Sequence, residues 1–138
     1  MSGPYALAAA ARYPDRIAAA ASFYGTWLVS EAEDSPHLSL GKVKGELYVA
    51  CTEYAKLAPL PMVEELRTFF ARAGTTGEIE LYPGVHHGSA FPQRWWFDKP
   101  AAARHWERLI RSALPTNTWD RLYCSPKGVD PYAGVPIV

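Results

Sequence analysis

Strand-like and helix-like segments alternate along most of this 138-residue chain. The predicted order is helix, strand, loop, strand, helix, strand, loop, helix. Such alternation favours a parallel sheet wound in the right-handed sense, because each helix carries the chain back to the start of the next strand. The sequence therefore predicts an α/β fold with a three-stranded parallel sheet and flanking helices.

Three segments are predicted to be strands. The first is a short run of small and apolar residues closed by Gly25 and preceded by the stop at Pro14, so a buried parallel strand is favoured over a helix. The third alternates charged and bulky side chains, as an outer strand does. The three predicted strands are residues 17–24, 45–51 and 78–82.

Three further segments have the pattern of helices, at residues 4–13, 61–73 and 100–113. The middle one begins with a proline and ends before Gly74, and it places its large apolar residues on one stripe: Met62, Leu66, Phe69 and Phe70. The last helix is predicted to turn Trp106, Leu109 and Ile110 inward. Residues 25–44 lack a clear period and are predicted to be a loop.

The chain is predicted to hold one incomplete domain followed by a tail. Residues 1–113 carry the alternating elements, whereas four prolines and two glycines interrupt every possible element in residues 114–138. That composition predicts an irregular C-terminal tail.

Composition narrows the classes of partner. The formal net charge is zero and only 20% of residues are charged, which argues against nucleic acid or an anionic membrane as a partner. No apolar run reaches the length of a membrane span, and no basic segment precedes an apolar core at the N-terminus. Two cysteines are too few for a disulfide framework or a thiolate zinc site. We expect a cytoplasmic protein without cofactor or metal.

The predicted strand at 17–24 carries none of the charges or prolines that usually protect the edge of a sheet. It also begins the sheet, so no earlier strand of the sequence can lie beside it. We therefore expect this edge to associate with another chain, such as a second copy of this one.

Three sequence motifs resemble the C-terminal part of the dienelactone hydrolase family of α/β-hydrolases. The residues that follow the family's nucleophile resemble Met1-Ser2-Gly3-Pro4-Tyr5. A common junction of the family resembles Tyr13-Pro14-Asp15-Arg16-Ile17. The segment with the family's His-Gly pair resembles Tyr82-Pro83-Gly84-Val85-His86-His87-Gly88. The resemblance extends to about residue 111. It implies a partial α/β-hydrolase fold and hydrolysis of small carboxylic esters or lactones through an acyl-enzyme.

The resemblance also assigns positions in the catalytic triad. His87, before Gly88, takes the place of the general base, and a neutral imidazole suits proton transfer near pH 7. The family's acid position corresponds to Ala55, which has no carboxylate to orient the histidine. The nucleophile would directly precede Met1. The resemblance therefore implies a truncated hydrolase that is catalytically incomplete.

Three residues are weak candidates to replace the missing groups. Ser2 could act as nucleophile but fits a helix N-cap better, and Cys51 could do so but fits a buried apolar site better. Glu53 could stand in for the acid, although a solvated loop charge is the simpler interpretation. His86 and His87 make a poor metal pair, because adjacent side chains diverge and no third ligand is evident.

Three functions remain open at this point. The chain is an inactive, truncated hydrolase, or a half-domain that binds itself or another chain through its sheet edge, or an esterase with an unorthodox nucleophile. Solution mass and an ester assay distinguish them. The reading frame could also begin at an internal methionine of a longer enzyme, which the upstream DNA would reveal.

Overall fold

Within residues 2–113, three parallel strands form one sheet, as the sequence predicts, and their order in the sheet is β1-β2-β3. Strand β1 is Ala19–Phe23, β2 is Glu46–Tyr54 and β3 is Gly77–His86. Both β2 and β3 run further than the predicted strands, β2 by three residues and β3 by four. The added length carries the sheet up to His87.

The computed structural model describes residues 2–113. The chain divides into two units, residues 1–87 and residues 88–138. The sheet belongs to the first unit. The predicted tail at 114–138 lies outside the described residues.

Helices α1 (Gly3–Arg12) and α2 (Leu60–Ala73) belong to the first unit, together with a 3₁₀ helix at Pro36–Lys42. The 3₁₀ helix replaces part of the predicted loop. It buries His37, whose Nδ1 lies 2.7 Å from the Ser35 hydroxyl and whose ring centroid lies 4.4 Å from that of Phe69. Such short helices lack the apolar period that makes longer ones recognisable in a sequence.

The core lies on one face of the sheet. Alternate residues of β2 point to it, and they pack with buried side chains of both helices and the 3₁₀ helix: Leu47, Val49, Cys51, Leu7, Leu40, Val63, Leu66 and Phe70. Helix α2 turns its predicted stripe inward and ends at Gly74, whose φ of 63° is left-handed. Burial of this stripe, rather than intrinsic propensity, holds α2 in place.

The opposite face of the sheet carries a polar cluster on β2 and β3. The Tyr48 hydroxyl donates to Glu80 Oε2 at 2.8 Å and lies 2.8 Å from the Tyr82 hydroxyl. Burial and these hydrogen bonds raise the pKa of Tyr48 far above its usual range. Phe23 of β1 packs edge-on against the Tyr48 ring. These contacts join all three strands.

Helix α3 (Lys99–Ala113) belongs to the second unit and begins at a carboxylate cap, where the Ala101 amide donates to Asp98 Oδ1 at 2.8 Å. The predicted apolar side of this helix is wrong. Among residues 99–111, the buried side chains are Ala101, Ala102 and His105, while Trp106 is 42% exposed and Leu109 and Ile110 are half-buried. Small residues and a histidine form the inward stripe, so hydrophobicity alone misplaces it.

Candidate active site

The carboxyl ends of the three strands meet at one edge of the sheet, where α/β folds place their active sites. His87 directly follows β3, Tyr24 directly follows β1 and Ala55 directly follows β2. The sheet thus brings the predicted base and the predicted acid position to the same edge. This placement follows from the parallel topology.

His87 is tied to β2 through its backbone. Its amide donates to the Tyr54 carbonyl at 3.1 Å, which fixes the residue beside the last residue of β2. The imidazole is exposed, and its centroid lies 5.9 Å from that of Tyr24. An exposed imidazole on an anchored backbone can exchange protons with a substrate or with water.

Tyr24 was not singled out by the sequence. Its φ of 55° is left-handed, and its amide donates to the Ala50 carbonyl at 2.9 Å. Non-glycine residues rarely adopt this conformation, and such strain concentrates at functional sites. The Tyr-Gly pair that closes the strand was visible in the sequence, but the sign of φ was not.

Ala55, at the predicted acid position, is buried and only 7% exposed, and it opens a turn in which the Ala58 amide donates to its carbonyl at 3.0 Å. Its methyl group can neither donate nor accept a hydrogen bond. A carboxylate at this place in a triad fixes the tautomer of the histidine and stabilises its charged form.

Glu53 lies two residues earlier, on β2, and its carboxylate is engaged with the backbone of β3. Oε2 accepts a hydrogen bond from the Gly84 amide at 2.7 Å. The simpler interpretation made from the sequence, a solvated loop charge, is wrong about the loop: Glu53 belongs to β2, and its carboxylate has a specific partner at an exposed position. The partner could not be foreseen, because it depends on the register between the two strands.

The two candidate nucleophiles occupy different environments. Cys51 is 1% exposed in the core, and burial raises its thiol pKa to about 11. It lies inside β2 and not at the predicted end of the strand. Ser2 is exposed at the N-cap position of α1, and its side chain makes no capping hydrogen bond. Ser2 and Cys51 therefore do not form a common site.

An open groove of about 550 Å³ lies beside the end of β2, and its lining includes Glu53, Ala55 and Leu60. His87 is not part of that lining, so the groove alone does not define a substrate site. Among residues 2–113, no group of three or more His, Cys, Asp or Glu side chains could hold a metal ion. No helix in the same range is long and apolar enough to cross a membrane.

Comparisons with known proteins bear on the family and the fold of this chain. The sequence model of the Dienelactone hydrolase family matches residues 1–112. A search of curated proteins gave no significant match. Among solved structures, the chain is similar to the "Crystal Structure of Putative Dienelactone Hydrolase from Klebsiella pneumoniae subsp. pneumoniae MGH 78578", with a TM-score of 0.72 and 22% identity.

That similarity covers 80% of this chain but 47% of the Klebsiella chain, so this chain spans about half of the length of its structural relative. The likeness at this identity establishes the fold, and the match to the family model covers most of the sequence. The chain belongs to the dienelactone hydrolase family.

Proposed function

We propose that the chain carries the general-base histidine of a site for small carboxylic esters or lactones, and that these 138 residues alone do not complete an acyl-transfer cycle. His87 is the base. One observation carries the proposal: the backbone of His87 is bonded to Tyr54, the residue directly before Ala55, where the family places the acid. The histidine position is kept while the carboxylate beside it is lost.

The chemistry supports an incomplete relay. A histidine without its carboxylate loses orientation and tautomer control, which typically costs orders of magnitude in rate. Cys51, the strongest nucleophile by chemistry, is buried and held in its neutral form. Two cysteines without a disulfide framework fit a reducing compartment, so we propose the cytoplasm as its location.

The test restores the carboxylate and measures the histidine. In Ala55→Asp, the pKa of His87, followed by NMR of its imidazole, should rise by about 1 unit or more, because a nearby negative charge favours the protonated ring. Leu57→Asp is the matched control, since it adds the same charge at an exposed position two residues away. Its effect should be a few tenths of a unit at most, of the size of a screened surface charge.

Equal shifts in the two variants would contradict the assignment of Ala55 to the acid position. An ester assay completes the test. The native chain and the His87→Ala variant should hydrolyse p-nitrophenyl acetate at the same rate. Turnover that disappears in His87→Ala and also in Ser2→Ala or Cys51→Ala would instead support an esterase with an unorthodox nucleophile.

A second candidate function rests on the edge of the sheet. Within residues 2–113, β1 has a strand on one side only, and most of its small apolar residues are half-buried. A strand of this kind invites pairing with another chain. The candidate is a half-domain that associates with a second copy of itself, and solution mass distinguishes it from a monomeric remnant.

A further inference from the structure

The sheet departs from regular pairing just before His87. Thr52 pairs with Tyr82 and Tyr54 pairs with His86, so the single residue Glu53 of β2 faces three residues of β3. This irregularity is a bulge in β3. Bulges redirect the side chains that follow them and are frequent next to active sites.

The sequence of the bulge explains why the strand bends there. Pro83 has no amide to donate to a neighbouring strand. Gly84 has a φ of 72°, a left-handed conformation that costs glycine little. The Gly84 amide has left the regular ladder and lies at an exposed position, where its partner is a side chain.

Glu53 supplies the missing partner. Its half-buried side chain reaches across from β2, and Oε2 accepts the Gly84 amide at 2.7 Å, the distance of a strong charge-assisted hydrogen bond. On the far side of the bulge, the His87 amide donates to the Tyr54 carbonyl, and the His86 ring lies 4.9 Å from the Tyr54 ring. Two adjacent residues of β2 thus hold both ends of the segment that leads into His87.

We infer that Glu53 is a positioning residue: it clamps the bulge at Gly84 and so sets the direction in which His87 leaves the sheet. The inference rests on the proposed role of His87 for its functional meaning. It assigns Glu53 a role different from that of a replacement acid, because the observed bond of Oε2 is to the backbone of β3. A clamp needs an acceptor at this place, whereas a triad acid needs the negative charge.

Glutamine separates the two roles, because its side-chain oxygen still accepts the Gly84 amide but carries no charge. The experiment compares Glu53→Gln with Glu53→Ala, each in the native chain and in Ala55→Asp. Hydrogen exchange of the Gly84 and His87 amides reports on the clamp. The pKa of His87 reports on the orientation of the imidazole. Glu46→Ala removes an exposed glutamate of the same strand and is the matched control.

A clamp predicts that Glu53→Ala speeds exchange of the Gly84 amide by ~10-fold or more, the loss expected for one hydrogen bond to a charged group. Glu53→Gln and Glu46→Ala should stay within a few-fold of the native rate. In the Ala55→Asp background, the upward shift in the pKa of His87 should survive Glu53→Gln and be lost in Glu53→Ala.

Two results would overturn the inference. One is native-like exchange of Gly84 in Glu53→Ala. The other is a pKa of His87 that falls by about 1 unit in Glu53→Gln, as removal of a neighbouring charge would cause. The second result would make Glu53 an ionic partner of the histidine. Failure of the proposed function gives a different result from failure of this inference. Ala55→Asp would then leave the pKa of His87 unchanged, while the exchange rates of the Gly84 amide in the Glu53 variants would still be as predicted.

Discussion

Cys51 shows how the length of a strand changes the chemistry of a residue. With a strand that ends at residue 51, its thiol would lie at the edge where active sites form. The observed strand continues to Tyr54, so Cys51 lies inside it and faces the core. Side chains alternate between the two faces of a sheet. The face on which Cys51 lies therefore makes it a packing residue of the core and not a nucleophile at the edge.

The thiol of Cys51 should therefore be nearly unreactive in the folded chain. Burial raises its pKa to about 11, so roughly one thiol in a thousand is ionised at pH 8, and only the thiolate reacts. In a Cys124→Ser variant, which leaves Cys51 alone, a disulfide reagent should label slowly without urea and rapidly in urea. Rapid stoichiometric labelling of the folded chain would restore Cys51 as a candidate nucleophile.

At the candidate site, the sequence reveals residues through motifs and conceals those that depend on register. His87 and Ala55 were singled out because their motifs resemble those of the family, and their assignment to a triad stays a prediction. Tyr24 owes its place to a left-handed φ, and Glu53 to the offset between β2 and β3. No local sequence pattern predicts either property, because both arise when segments that are distant in the sequence pair with each other.

Among the elements, those with a strong period were predicted well. Helix α2 starts within one residue of the prediction and ends at the same residue, because its stripe, its proline and Gly74 all agree. The 3₁₀ helix and the buried stripe of α3 were missed, since neither presents a row of large apolar residues. Strand β3 was cut short because Pro83 and Gly84 usually end a strand, and here they form a bulge inside it.

The turn between α2 and β3 contains two glycines with different constraints. Gly74 has a φ of 63° and open space where a Cβ would stand, whereas a Cβ at Gly77, with a φ of 135°, would overlap the Leu47 backbone. Gly74→Ala should lower the free energy of unfolding by about 1 kcal/mol, the cost of a left-handed alanine. Gly77→Ala should lower it by at least ~2 kcal/mol, because strain is added to a clash with the paired strand.

Urea unfolding followed by circular dichroism measures both effects under identical conditions. Gly74→Ala serves as the control for the general cost of removing a glycine from this turn. An equal loss of unfolding free energy in Gly74→Ala and Gly77→Ala would show that the backbone of β3 can shift away from Leu47. The register between β2 and β3, which also places the bulge at Glu53, would then be less tightly fixed than the structure shows.

At the scale of the whole molecule, the parallel sheet raises the question of what lies beside β1. The chain covers 47% of its structural relative, and within residues 2–113 no strand pairs with the second edge of β1. The backbone shows which residues face that edge. The Ala18 carbonyl and the Tyr24 amide bond to β2, so even-numbered residues point to β2 and the amides of Ala19 and Ala21 point away.

Because the backbone amides of β1 point alternately toward β2 and away from it, the free edge can be blocked without breaking the existing sheet. If β1 pairs with a second copy, the native chain should show a concentration-dependent mass in sedimentation equilibrium at micromolar concentrations. Ala21→Pro removes an amide that faces away from β2, so it should shift the chain toward monomer with little loss of native circular dichroism. Ala21→Ser keeps the amide at nearly the same size and should associate as the native chain does.

The matched disruption is Ala20→Pro, which removes an amide that faces β2 and should destabilise the sheet itself. Because adjacent residues of one strand receive the same substitution, the comparison separates loss of association from loss of folding. A native chain that stays monomeric over the whole concentration range would exclude a self-associating half-domain. Association that persists in Ala21→Pro would place the contact on a surface other than the edge of β1, since the edge cannot extend its ladder past a missing amide.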